Sequence, residues 1–261
     1  MDYTVLIIST LFALVGAVWG GIAVSRGDSS RPAIAIRGTL ACMLFAFVFQ
    51  LFFLKLRGDL RGACPLRDLG EILAFLAWAL TVFYLLVGRS YRLSILGLFT
   101  APVVFVFQAV ALFMPGLMVE NPVRGDGVDA WRELHSAVSV LAYGAFALAA
   151  VAGLMFLLLD HLLKEHHLRS GLFRNLPPAR ELLLVVKRLL WMGMALLSVG
   201  LGAGWMMPHK GAWQHFVAAI VVWLCYGVLL AVLQWRGVTG RRLSLLSVSL
   251  FILSLVVFGL V

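Results

Sequence analysis

Six histidines are spread over the 261 residues, and three of them occupy comparable positions. His135 stands at the start of one long apolar run, and His209 and His215 bracket the start of another. Two imidazoles at one depth on neighbouring helices suit the two axial positions of a haem iron, since a neutral ring nitrogen is a good ligand for that ion. Trp131 lies four residues before His135 and Trp213 two before His215, so an indole can cover a porphyrin face beside each imidazole. Arg124, Arg132 and Lys210 are close enough in sequence to meet propionates. The same residue types also collect at membrane interfaces for amphipathic reasons alone, which is their commoner use. His161, His166 and His167 read as a solvated or headgroup-facing patch, with no nearby cysteine to complete a metal site.

The elements that must position these side chains are long apolar helices. The chain is 62% apolar and only 13% charged, with a mean hydropathy of +1.02. So much apolar surface cannot be hidden inside one globule of this size, and at roughly 20 residues per crossing it allows about eight transmembrane helices. Apolar runs fall at 3–24, 38–54, 69–87, 93–114, 134–159, 189–207, 216–233 and 243–261. In lipid their backbones are satisfied as helices, and no alternating barrel pattern is present. The expected fold is therefore all-α: a polytopic bundle of about eight helices forming a single transmembrane domain over 1–261. A soluble catalytic domain, a disulfide scaffold and a nucleic-acid-binding arm are excluded. Cys42 and Cys225 fall inside spans and Cys64 sits alone in a loop, so no intramolecular disulfide is expected.

Orientation follows from the basic residues. Odd loops carry fourteen Lys and Arg and even loops seven, which puts the odd loops in the cytoplasm and both termini outside. The first run has Asp2 ahead of it and Arg26 and Arg31 behind it, the charge order of an uncleaved anchor. The second loop is anomalous, because Lys55, Arg57, Arg61 and Arg67 fall on the supposed outer side. The longest connection, Asp160–Arg188, reads as a cytoplasmic segment broken by Pro177-Pro178 ahead of the sixth span.

Glu71 is the one acid inside a span, and no ionisable group stands at mid-membrane. Ion-coupled transporters hold such groups near the midplane, so that class is disfavoured. Gln50 and Gln108 can line a polar path, although buried amides more often bond a neighbouring helix.

The run Cys64-Pro65-Leu66-Arg67-Asp68-Leu69-Gly70-Glu71, continuing through Leu73, Phe75 and Leu76 to Trp78, resembles the opening block of the cytochrome c assembly family of the CcsA, CcmC and HemX type. Leu134-His135 with Leu141-Ala142-Tyr143-Gly144-Ala145-Phe146 resembles that family's histidine-led helix. Pro208-His209-Lys210, Trp223-Leu224-Cys225-Tyr226 and Arg236–Arg242 resemble its closing block. The family's full synthases carry a tryptophan-rich outer loop that is missing here, so the likeness is to a compact branch. The resemblance implies a non-enzymatic, haem-handling protein of c-type cytochrome biogenesis in the bacterial cytoplasmic (inner) membrane. His135 would be the principal iron ligand. Depth alone offers His215 or His209 as the opposite ligand, with Trp131 and Trp213 flanking the ring and Glu71 as a polar contact between helices. The cargo would be haem b, and the partners the lipid bilayer and other cytochrome c assembly proteins, with no nucleic acid. The alternatives are a HemX-like regulator of tetrapyrrole biosynthesis acting through its cytoplasmic loop, and a structural or transport subunit without haem. The orientation predicts that reporter fusions after Val24 and Arg169 report cytoplasm and one near Asp126 reports the outside; the reverse pattern would invert it.

Overall fold

The computed structural model describes residues 2–25, 32–91, 96–118, 129–164, 178–207 and 213–260. Eight α-helices account for nearly all of them, and no strand occurs among the described residues. They are α1 (Asp2–Ser25), α2 (Pro32–Arg61), α3 (Leu69–Tyr91), α4 (Leu96–Leu112), α5 (Ala130–Lys164), α6 (Ala179–Trp205), α7 (Trp213–Trp235) and α8 (Gly240–Leu260), with a short 3-10 turn at Pro115–Met118. Seven helices are long and apolar enough to cross a membrane, and the shorter Leu96–Leu112 is apolar as well. The expected all-helical membrane architecture is thus present. Cys42, Cys64 and Cys225 are not joined in disulfides.

Several helices outrun the apolar segments that announce them, because hydropathy falls where charges begin whereas the hydrogen-bond ladder continues. Lys55, Arg57 and Arg61 lie on α2 rather than in a loop. Likewise Asp160–Lys164 belong to α5 and Ala179–Arg188 to α6, so much of the expected cytoplasmic connection is helix. Its remainder, 165–177, lies outside the described residues. Helix α2 stops at Gly62, whose φ of 64° is open to glycine and whose N–H donates to the Gly58 carbonyl at 2.8 Å.

The chain divides into two compact units, Met1–Val128 with His161–Pro178, and Asp129–Asp160 with Ala179–Val261. In the first, α1 to α4 alternate in direction and present three successive layers. The outermost layer is ionic. Arg57, fully buried, donates through Nε to Glu71 Oε1 at 2.9 Å, through Nη1 to Asp2 Oδ2 at 2.9 Å and through Nη2 to the Gly116 carbonyl at 2.6 Å. Arg61 donates to Glu71 Oε1 at 2.8 Å and pairs with Asp68. Glu71 Oε2 also accepts from the backbone N–H groups of Arg67 and Asp68 at 3.1 and 3.4 Å, the reach of a capping box at the start of α3. One turn deeper, Leu6, Phe53, Ala74, Ala111 and Leu117 form an apolar layer. One turn deeper again stand Ser9, Gln50, Trp78 and Gln108. The expected polar role of Glu71 is present and larger than its position suggests, since two of the four anomalous basic residues of the second loop, Arg57 and Arg61, are its ion-pair partners.

The second unit is organised by small side chains. Ala142, Gly144, Ala145, Ala147, Ala149, Ala150, Ala152 and Gly153 are all buried on α5, which lets neighbouring backbones approach closely. Phe146 of α5 stacks on Tyr226 of α7, with ring centroids 3.8 Å apart and planes within 6°. A Cβ added to Gly153 would meet the Ser244 carbonyl of α8 at 3.3 Å.

Removing the Glu71 carboxylate would take from two buried guanidinium groups the acceptor they share. Breaking a buried ion pair from one side costs about 3–5 kcal/mol. Glu71→Ala should therefore lower the thermal unfolding midpoint of the detergent-solubilised protein strongly, and Glu71→Gln, which keeps an acceptor, should lower it less. Equal midpoints for wild type and Glu71→Ala would refute the ionic layer.

Candidate functional site

Asp129 caps α5: its carboxylate accepts the Trp131 N–H at 3.1 Å, and its carbonyl accepts the Glu133 N–H at 3.0 Å. This cap fixes where α5 begins, and so where His135 falls in its second turn. The imidazole is partly buried and lies against α6, where Nδ1 meets the Gly200 carbonyl oxygen at 2.7 Å. A carbonyl only accepts, so Nδ1 carries the proton. In the neutral ring the lone pair is then on Nε2, which makes no hydrogen bond among the described residues. Metal-ligating histidines characteristically have this arrangement, with one ring N–H committed to a carbonyl and the other nitrogen left for the metal.

Glycines on α6 make that approach possible. A Cβ at Gly204 would come within 2.8 Å of His135 Nδ1, and one at Gly200 within 2.5 Å of Ser139 Oγ. A Cβ at Gly193 would fall 2.5 Å from Phe146. The pairs 135:204, 139:200 and 146:193 step by four and seven residues in opposite directions along α5 and α6, so the glycines form one stripe facing one side of an antiparallel neighbour. Sequence reasoning missed this stripe, because a glycine in an apolar run signals only smallness, not what it faces.

Of the other candidate residues, Trp131 is about half exposed, one turn before His135, and Arg132 beside it is exposed. Trp213 and His215 occupy the first turn of α7, where the backbone alone is described. The adjoining Phe216 packs against Trp205 at the end of α6, with centroids 5.6 Å apart. Trp205 follows Gly204, which touches His135, so the start of α7 lies at the same end of the second unit as His135. His209, Lys210 and Arg124 lie outside the described residues, as do His166 and His167. His161 is exposed near the far end of α5. Trp205, two-thirds exposed, is a further indole at the His135 end that sequence reasoning did not single out. Its only signal was a Gly-Ala-Gly-Trp ending to a span. Among the described residues no three His, Cys, Asp or Glu side chains converge as a metal-ligand set. A porphyrin iron, with four ring nitrogens of its own, asks the protein only for axial ligands.

Residues 66–261 match the family model described as Cytochrome C assembly protein. The chain belongs to that family. It is 25% identical over 240 residues to the cytochrome c biogenesis protein CcsA of Prochlorococcus marinus (strain MIT 9215), covering 82% of this chain and 77% of that protein. It is also 25% identical over 226 residues to protein HemX of Bacillus subtilis (strain 168), covering 84% and 82%. A CcsA of Trichormus variabilis is 30% identical over 160 residues, 60% of this chain and 43% of that protein. The family resemblance read from the sequence is therefore correct, and it carries a role in c-type cytochrome biogenesis for this membrane protein.

The glycine stripe makes a specific demand on the imidazole. Gly204→Ala should displace the His135 ring from Gly200, whereas Gly202→Ala, where an added Cβ meets nothing within 4 Å, should not. Side-chain nitrogen NMR should show the Nδ1–H tautomer in wild type and Gly202→Ala and lose it in Gly204→Ala; loss in neither variant would remove the positioning role of the stripe.

Proposed function

We propose that this family member binds haem b at the His135 end of its second unit and passes it on during cytochrome c assembly, without itself catalysing a bond change. The observation that carries this reading is the His135 imidazole, whose Nδ1–H is held by Gly200 and whose Nε2 is left as a ligand. The iron would take Nε2 of His135 on one side. His215 or His209 would supply the opposite imidazole, and Trp131 and Trp213 would flank the ring. Arg132, with Arg124 and Lys210, would meet the propionates. What this chain contributes is a pre-set imidazole tautomer, with the exposed Trp131 and Arg132 in the turn before it. The protein would lie in a bacterial inner membrane with both termini outside and with other assembly proteins as partners.

A deletion strain complemented with wild type or His135→Ala tests the proposal. Wild type should restore covalently attached haem relative to b-type cytochromes and purify with a Soret band. His135→Ala should insert normally, lose most of that band and restore little covalent haem, while His161→Ala should behave as wild type. An unchanged ratio of c-type to b-type cytochromes on deletion, with altered tetrapyrrole enzyme levels, would favour a regulator instead.

A further inference from the structure

The innermost layer of the first unit contains polar atoms that the protein does not satisfy. Gln50 Oε1 and Nε2, Gln108 Oε1 and Trp78 Nε1 are shielded from solvent and have no hydrogen-bond partner among the described residues. Gln50 and Gln108 are 1% and 0% exposed. Buried polar groups are nearly always hydrogen-bonded, because losing hydration with nothing in return is costly.

These atoms belong to one place. Leu6, Phe53, Ala74 and Ala111 meet in a single cluster. Ser9, Gln50, Trp78 and Gln108 each lie three or four residues from one of them on the same helix. Because α1 and α3 run opposite to α2 and α4, all four steps lead the same way, to one level about 5.4 Å further along. Direct contacts agree. Gln108 Nε2 donates to Ser9 Oγ at 2.8 Å, and Ser9 Oγ donates to the Ala46 carbonyl at 3.0 Å, one turn from Gln50. Phe47, on the same side of α2 as Gln50, stacks on Trp78 with ring centroids 6.5 Å apart. Four helices thus bring two amides, a hydroxyl and an indole N–H to one level inside the bundle, and every one of these positions falls within an apolar helix.

We infer that this layer is a binding site for ordered water. The set of groups selects the ligand class. It offers donors (the Trp78 N–H and the Gln50 amide) and acceptors (the Gln50 and Gln108 amide oxygens) with no charged group in the layer. An ion finds no counter-charge there, and an apolar molecule leaves every group unpaired. Water both donates and accepts: one molecule can accept a hydrogen bond from the indole N–H and donate to both amide oxygens, and a second can accept from the Gln50 amide. Lipid supplies no hydrogen bonds at this depth, and the Leu6–Phe53–Ala74–Ala111 layer closes the site off from the Arg57 ionic layer.

Radiolytic hydroxyl-radical labelling of the full chain in lipid nanodiscs tests this, because radicals formed from bound water oxidise adjacent side chains that bulk solvent does not reach. After division by the intrinsic reactivity of each ring and by its exposure, Trp78 should be oxidised well above Phe53, which is 1% exposed and one turn from Gln50. In the Gln50→Leu, Gln108→Leu double variant the Trp78 labelling should fall several-fold. Labelling of wild-type Trp78 no faster than Phe53 on that scale would overturn the proposal. Should the double variant fail to insert, a high-resolution cryo-electron-microscopy map of the wild type decides: density of water size between Gln50 and Trp78 upholds the site, and either a larger solute or no density overturns it.

Discussion

Arg57 is a fixed positive charge that lies within the first unit and has no access to solvent, and the arrangement of that unit follows from the need to compensate it. A guanidinium cannot shed its proton, and its planar donors must each be met in a definite direction. The acceptors come from three other elements: the first turn of α1, the first turn of α3 and the turn after α4. Four chain segments are therefore pinned at one level, and their directions are fixed before any apolar contact is considered. A buried ion pair seldom adds net stability over apolar packing. Its effect here is on specificity, because Asp2, Glu71 and Gly116 meet the same guanidinium only when α1, α3 and the turn after α4 are all set beside α2.

The second unit solves the same problem of choosing among apolar helices by the opposite means. Instead of a charge that must be met, it has side chains small enough that backbones touch. The alanines of α5 and the glycines of α6 allow close approach, and van der Waals contact and weak polar contacts replace the ionic clamp. His135 benefits from this, since its ring can reach a main-chain carbonyl of a neighbouring helix only where no Cβ intervenes.

Much of this was legible in the sequence, and the parts that were not have physical reasons. Helix number and class follow from hydropathy, because lipid leaves a backbone few choices. The place of His135 was legible, because the apolar run it heads is a helix whose start the sequence marks. Helix ends were not, since Arg57 and Arg61 read as loop charges until their carboxylate partners, in sequence from Asp2 to Glu71, are seen in space. Gln108 follows the ordinary expectation for a buried amide by bonding Ser9, and Gln50 departs from it. Nothing in the local sequence of either glutamine separates the two, because the difference lies in which helix faces them. The Gly193, Gly200 and Gly204 stripe is likewise a relation between two helices rather than a property of one.

The acceptor that orients His135 is a peptide carbonyl, with a consequence for how the site can change over time. A carboxylate or amide in that role could be lost by a single codon change. The oxygen of residue 200 is present whichever amino acid is encoded there, and mutation can reach it only by displacing α6 or the ring itself. The imidazole's geometry therefore depends on the absence of side chains, at positions 200 and 204, rather than on the presence of a side-chain partner. Drift that enlarges either residue would shift the imidazole from its carbonyl while leaving the histidine in place in the sequence.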